Sequence, residues 1–474
     1  MTNIFSLISN YIIIFLMGIY TFSCFSVFGK DNERVEKRIL ARQSSLMFII
    51  HFIAFAVMFI HTNDMNFVFM YVAQLILFMA IIGLYKILYP KASRLLVNNM
   101  CMLICIGYIM LARIQFDEAI NQFIFGVLGA AFGLFVPVII RKFKFLAGWR
   151  WIYAGIGIFA LIFVLTNAPE VGGATRRIAF AGIYVQPSEI VKILFVFFAA
   201  ASFRYSTEFK NVVITTALAA AHVIILVLSV DLGTAVTLFV AYVTMLYVAT
   251  RQPLYVLLGG VAGTGAAYVG HRLFSHVQTR VAAWRDPFAI FGEGGFQLAQ
   301  SFFAIGTGSW FGLGLFRGRP DFIPEVTRDF VFSGIAEELG IIFALCLIMI
   351  CISCYVMFLN VAMELRQPFY KMVALGLGTI YIFQVFLTIG GGIGLIPSTG
   401  VTLPLVSYGG SSFLTSMVMF GIIQGLYIVR EDEEDIIELF EQRKRDDYEE
   451  VERAPKGKRR EEPTFQEVPK QRVR

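Results

Sequence analysis

The chain has 474 residues, is 58% hydrophobic and only 15% charged, and contains 48 phenylalanines. A soluble domain is closer to a quarter charged, so this composition argues against a water-soluble fold and places the chain in a bilayer. The formal charge of +6 comes from bases scattered through short loops, which suits membrane orientation rather than nucleic-acid binding.

Apolar runs predict helices near 4–28, 45–61, 65–89, 98–113, 119–140, 152–167, 189–203, 211–230, 234–250, 254–272, 336–359, 371–389 and 411–429. That is about thirteen spans, since about 20 apolar residues cross the hydrocarbon layer. The first basic residue, Lys30, follows the first apolar run instead of preceding it, so no cleavable signal peptide is expected. Bases gather in alternate loops: Lys30, Arg34, Lys37, Arg38 and Arg42, then Lys91 and Arg94, then Arg141, Lys142, Lys144 and Arg150. Arg204, Lys210, Arg251, Arg366 and Lys371 continue the set. The positive-inside rule makes these loops cytoplasmic. The N-terminus is then expected outside the cell and the C-terminus inside. The loops 168–188, 231–233, 273–335 and 390–410 fall on the outer face, which is expected to be the working face. After Val429 charges of both signs take over, so 431–474 reads as a cytoplasmic tail, helical at first and then disordered.

Several chemistries find no support. None of the five histidines has metal-ligand spacing, and no GxxxxGK[ST] loop points to an ATP-driven pump. Cys351 and Cys354 have CxxC spacing but lie in an apolar run, where they read as small packing residues.

Four outer stretches carry unusual sequence. In 172–192, GGATRRIAFAGIYVQPSEIVK, Pro187 and Ser188 read as a helix start with Ser188 as its cap. Glu189 and Lys192 lie three apart on one face of that helix and are expected to pair; ionisable residues in a spanning helix are functional candidates. Asp231 opens DLGT, either as turn chemistry or as a carboxylate facing an outer cavity. The stretch Trp284–Gly340 interleaves aromatics with Asp321, Glu325, Asp329, Arg317, Arg319 and Arg328, which suits a surface half in lipid and half in water. Asp329 sits beside an apolar FVF segment, where partial dehydration raises a carboxylate's basicity; Glu325 is its nearest competitor. Glu337 and Glu338 are expected to open the next helix, where its dipole favours acids. Finally, 397–412, PSTGVTLPLVSYGGSS, reads as a re-entrant turn or as a loop that touches a polar headgroup through Ser407, Tyr408, Ser411 and backbone N–H groups.

Taken together, GATRR…QPSEIVK (173–192), DLGT (231–234), DPF…QLAQSFFAIGTG…FIPE…DFVF…AEELG (286–340) and TGVTLPLVSYGGSS (399–412) resemble the SEDS family of bacterial membrane proteins, which includes RodA, FtsW and SpoVE. The resemblance covers roughly 98–430, with departures at Arg177, Ser309 and Arg328. It implies an all-α polytopic membrane protein: a ten-helix core over 98–430 with its large extracytoplasmic loop at 273–335, about three extra helices within 1–97, and the 431–474 tail. It further implies a peptidoglycan glycosyltransferase of the cytoplasmic membrane that polymerises lipid II during cell division or elongation. A class B penicillin-binding protein and other division or elongation proteins are the implied partners. Asp329 matches the family's catalytic aspartate, and Arg176, Glu189 and Lys192 match positions lining its outer cavity. Forming the glycosidic bond needs a base for the acceptor hydroxyl and positive charge for the departing diphosphate. Asp329 suits the first role. Lys192, Arg176 and a divalent cation such as magnesium or manganese suit the second. A lipid II flippase and a non-catalytic scaffold are the competing readings.

Overall fold

The computed structural model describes residues 2–29, 32–169, 178–180 and 183–453. The first helices are α1 (Thr2–Ser26), α2 (Glu33–Thr62), α3 (Met65–Leu88), α4 (Arg94–Ile114), α5 (Phe116–Lys142) and α6 (Arg150–Asn167). A hairpin of β1 (Ile178–Phe180) and β2 (Ile183–Val185) follows, antiparallel with Ile178 opposite Val185, and interrupts the otherwise all-α order. The chain continues through α7 (Pro187–Tyr205), α8 (Phe209–Leu228), α9 (Leu232–Thr250), α10 (Pro253–Leu273), α11 (Ser275–Arg285) and α12 (Phe296–Gly308). It ends with α13 (Val331–Glu364), α14 (Pro368–Gly392) and α15 (Gly410–Arg453).

Twelve of these helices are long and apolar enough to cross a membrane. Each of the thirteen expected spans coincides with a helix, and the one outside the twelve is α7, which carries Glu189, Lys192 and Arg204. Helix ends differ most where charge takes over. α2 begins at Glu33 because Asn32 caps it through the Arg34 N–H, and α15 runs on through its charged segment to Arg453. Hydropathy registers the apolar part of such helices and not their water-exposed ends.

α4 is the central post, buried from Leu95 to Ala112. α15 packs along α5, and Gly421 allows the approach: a Cβ there would meet the Gly133 carbonyl oxygen at 2.9 Å. α14 packs on α13, α9 and α7, while α10 touches α9 and buries none of its residues. α1–α3 pack on α4, α5 and α13. Asn99 of α4 ties α1 to α13: its Oδ1 accepts from the Tyr20 hydroxyl at 3.1 Å and its Nδ2 donates to Ser353 Oγ at 3.1 Å.

α13 corrects one expectation. It starts at Val331, so Glu337 and Glu338 do not open it; they lie in its second turn, buried. Two residues later Gly340 breaks the helix at φ 87°, ψ 163°. The freed backbone groups are taken up by the 309–314 segment. Leu313 N donates to Glu337 O at 3.0 Å, Gly314 N to Glu338 O at 2.8 Å, and Ile341 N to Ser309 O at 3.0 Å. A broken helix survives at membrane depth only when its loose backbone is satisfied in this way.

Candidate active site

A cavity of about 390 Å³ opens where the N-terminal ends of several helices meet. Gln186 and Glu189 line it from the start of α7, Asp231 and Thr234 from the start of α9, and Gly409–Ser412 from the start of α15. Arg328 and Asp329 enter from just before α13, Asn121 and Phe125 from α5, and Gly400–Thr402 from the preceding loop. Helix N-termini present unpaired N–H groups and the positive ends of their dipoles, so their convergence favours an anionic ligand.

The sequence dictates this geometry locally. Pro187 at the first position of α7 fixes the helix start, and the cap residue is Gln186. Ser188 is not the expected cap. Its hydroxyl instead donates to Asp231 Oδ2 at 2.8 Å, beside Gln186 Nε2 at 3.1 Å. Asp231 caps α9, accepting from Thr234 N at 3.4 Å. The turn reading and the cavity reading of Asp231 therefore hold together in one residue. Gln186 N donates to Ser411 Oγ at 3.0 Å, which ties the start of α7 to the start of α15.

Below this rim the expected pair is present. Lys192 Nζ stands 2.7 Å from Glu189 Oε2, and both side chains are nearly excluded from solvent at 5% and 8% exposure. The two opposite charges form a buried ion pair. Lys192 also donates to Gln384 Oε1 at 2.9 Å, and Gln384 Nε2 donates to Thr402 O at 3.0 Å. Lys192 thus stands behind Glu189, lining a smaller void beside the main cavity.

The Asp329 segment is fastened to the 397–412 stretch. Ser407 Oγ donates to Arg328 O and accepts from Leu403 N, and Tyr408 N donates to Thr327 O at 2.7 Å. Arg328 Nη1 holds Glu325 Oε2 at 2.5 Å, with its guanidinium 5.8 Å from the Tyr408 ring centre.

The expected residues therefore separate. Glu189, Asp231, Asp329, Tyr408 and Ser411 line one cavity. Lys192 is its inner support. Ser407 is buried and spends its hydroxyl on backbone, and Glu325 sits outside the lining, half-exposed against Arg328. Arg176 lies outside the described residues. Gln186, Asn121, Thr402, Gln384 and Arg328 belong to the site without having been singled out for it. Gln384, an amide in the apolar run 371–389, carried a signal of its own, since a buried polar group there demands partners. Among the described residues no three His, Cys, Asp or Glu side chains stand close enough to hold a metal ion.

The family model for cell cycle proteins of the FtsW, RodA and SpoVE type matches residues 92–431. The peptidoglycan glycosyltransferase RodA of Mycobacterium leprae is 32% identical over 362 residues, covering 70% of this chain and 77% of that protein. A probable peptidoglycan glycosyltransferase FtsW of Alcanivorax borkumensis is 32% identical over 320 residues, covering 65% and 83%. A chain from a peptidoglycan synthase complex has a similar fold, with a TM-score of 0.61 at 23% identity over 72% of this chain and 98% of that one. The rod shape determining protein RodA of Thermus thermophilus does too, with a TM-score of 0.52 at 20% identity over 72% and 97%.

Proposed function

The chain belongs to the family of FtsW, RodA and SpoVE, and we infer that it is a peptidoglycan glycosyltransferase that polymerises lipid II. The observation that carries the reaction to a place is the convergence of Glu189, Asp231 and Asp329 on one cavity ringed by helix N-termini. In the reaction the acceptor sugar's 4-hydroxyl attacks the anomeric carbon of the donor sugar. The new β-1,4 carbon–oxygen bond forms as the anomeric bond to the undecaprenyl diphosphate breaks, with inversion.

Asp329 is the general base that takes the hydroxyl proton, as a positioned carboxylate can. The electron pair departs on the diphosphate, which Arg328, the helix N-termini and, from behind Glu189, Lys192 stabilise. Arg176 serves the same anion by its place in the motif. Asp231, Tyr408 and Ser411 orient the headgroup, while Ser407 and Glu325 act by holding the Asp329 segment. A magnesium or manganese ion would be held by one or two of the cavity carboxylates Glu189, Asp231 and Asp329, since no three such groups cluster among the described residues, and would supply positive charge for the departing diphosphate. The cavity faces the outside of the cytoplasmic membrane, with the N-terminus on the same side and the C-terminus inside. A class B penicillin-binding protein acts beside it, and division or elongation proteins direct it.

Purified protein supplied with lipid II should make glycan strands. Asp329→Asn keeps size and shape and should lower the rate roughly 100-fold or more, the usual share of a general base. Lipid movement across vesicles without polymer would make the chain a flippase, and neither activity would make it a scaffold.

A further inference from the structure

α1–α3 lie outside the part of the chain that the family model matches, and two solved relatives are covered almost end to end by 72% of this chain. These helices nevertheless grip the outer loop. At the start of α1, Ser6 Oγ donates to Leu315 O at 2.9 Å and Asn10 Nδ2 to Phe311 O at 2.6 Å. The Tyr11 and Phe311 rings lie 5.6 Å apart. At the end of α2, His61 stacks on Phe316 with ring centres 4.6 Å apart and planes at 21°.

The same loop is held from its other side by α13 and α4. Phe316 N donates to Glu338 Oε1 at 3.1 Å, and Arg319 N to Glu337 Oε1 at 2.8 Å. Arg113 of α4 pairs with Glu338 at 2.8 Å, donates to Gly318 O at 3.2 Å and lies 4.3 Å from the Phe316 ring centre. Phe316 itself sits at φ +66°, a conformation that a bulky residue keeps only when its surroundings impose it. From Arg319 the chain runs through the short Pro320–Phe322 helical turn to Arg328 and Asp329.

We propose that α1 and α2 are a built-in positioning unit for Asp329: Ser6, Asn10 and His61 fix the 311–316 segment against Glu338 and Arg113, and so set where the segment that follows delivers Arg328 and Asp329. His61 is a positioning residue, since it acts through Phe316 and touches no reacting atom. The unit sits outside the shared core, and a partner that bound it could change the polymerisation rate without touching the substrate cavity.

The inference rests on the polymerase reading, and the test separates the two. Wild-type protein that makes no glycan from lipid II sinks the polymerase reading and this inference with it; the variants are read against an active wild type. His61 is exposed at the end of α2, so His61→Ala should fold normally and keep its melting temperature. It should lower kcat about tenfold and leave the KM for lipid II within about twofold, because substrate contacts are elsewhere. His61→Phe keeps the stacking surface and should restore the rate. Ser6→Ala combined with Asn10→Ala should behave like His61→Ala. In an Asp329→Asn background, His61→Ala should cost little more, since both act through one group. A His61→Ala variant with normal kcat, or one whose loss is undiminished in the Asp329→Asn background, overturns the proposal. So does a loss that His61→Phe fails to restore.

Discussion

The Glu189–Lys192 pair gives the sharpest physical test of the site. Two opposite charges 2.7 Å apart attract by about 6 kcal/mol at an effective dielectric near 20, and burying both costs a comparable amount. The intact pair is therefore close to neutral for stability, but either partner alone is expensive. Lys192→Met leaves Glu189 buried without its cation, and Glu189→Gln leaves Lys192 buried with neutral oxygens, among them that of Gln384, and no anion. Each single substitution should cost about 3–5 kcal/mol. The double variant replaces both charges with neutral groups of similar size, so it should be more stable than either single. Thermal unfolding in detergent, read as a double-mutant cycle, measures the coupling. Activity should separate the two residues: Lys192→Met removes positive charge behind the cavity and should slow polymerisation more than Glu189→Gln. Single substitutions that each cost under about 1 kcal/mol and add in the double would show that the pair is not coupled, and the reasoning would fail.

Three further outcomes follow from the geometry. Cysteines placed by Thr2→Cys and, in the outer loop, by Asp321→Cys at an exposed position should both label from outside the cell; labelling of position 2 only from the cytoplasm would reverse the proposed topology of α1–α3. Truncation after Asp435 removes most of the charged extension but keeps Asp432 and Asp435, which hold Lys91 at 2.6 and 2.5 Å. Polymerisation by the folded truncated protein should persist, and its loss would give the tail a role in catalysis. Gly340→Ala adds a Cβ that would meet the Gly312 nitrogen at 2.4 Å in a conformation at φ 87°, so it should cost at least about 2 kcal/mol and lower the melting temperature in detergent; an unchanged melting temperature would show that the break can relax.

What could be read from sequence was whatever obeys a period or a local rule. Helix existence followed from apolar run length, and the Glu189–Lys192 contact from a spacing of three residues on one helical face. Ends and partners were harder. Ser188 has the chemistry of a cap, yet its hydroxyl serves Asp231, 43 positions away. Glu337 and Glu338 look like first-turn acids because the apolar run begins near them, but α13 begins earlier at Val331 and breaks at Gly340. No local rule announces that a loop some 25 residues upstream will satisfy that break. Ser407 matched a headgroup contact by residue type, but its hydroxyl is committed to backbone, at Leu403 in its own loop and at Arg328 beside Asp329.

The same commitment of polar groups would let an acidic cavity receive the diphosphate proposed for it. Three carboxylates on one surface would repel an anion if all stood bare. Glu189 is neutralised from behind by Lys192. Asp231 accepts from Ser188, Gln186 and the Thr234 N–H, so three donor dipoles that join α7 to α9 screen its charge. Glu325, which would add a fourth negative charge near the rim, is held by Arg328. What remains facing the cavity includes the N-terminal ends of α7, α9 and α15, each a source of positive potential. The structural hydrogen bonds and the proposed anion site are thus one arrangement. A substitution such as Ser188→Ala, remote from any reacting atom, should raise the KM for lipid II by removing a donor that screens the Asp231 charge. An unchanged KM in a folded Ser188→Ala protein would show that Asp231 does not govern the potential the substrate meets.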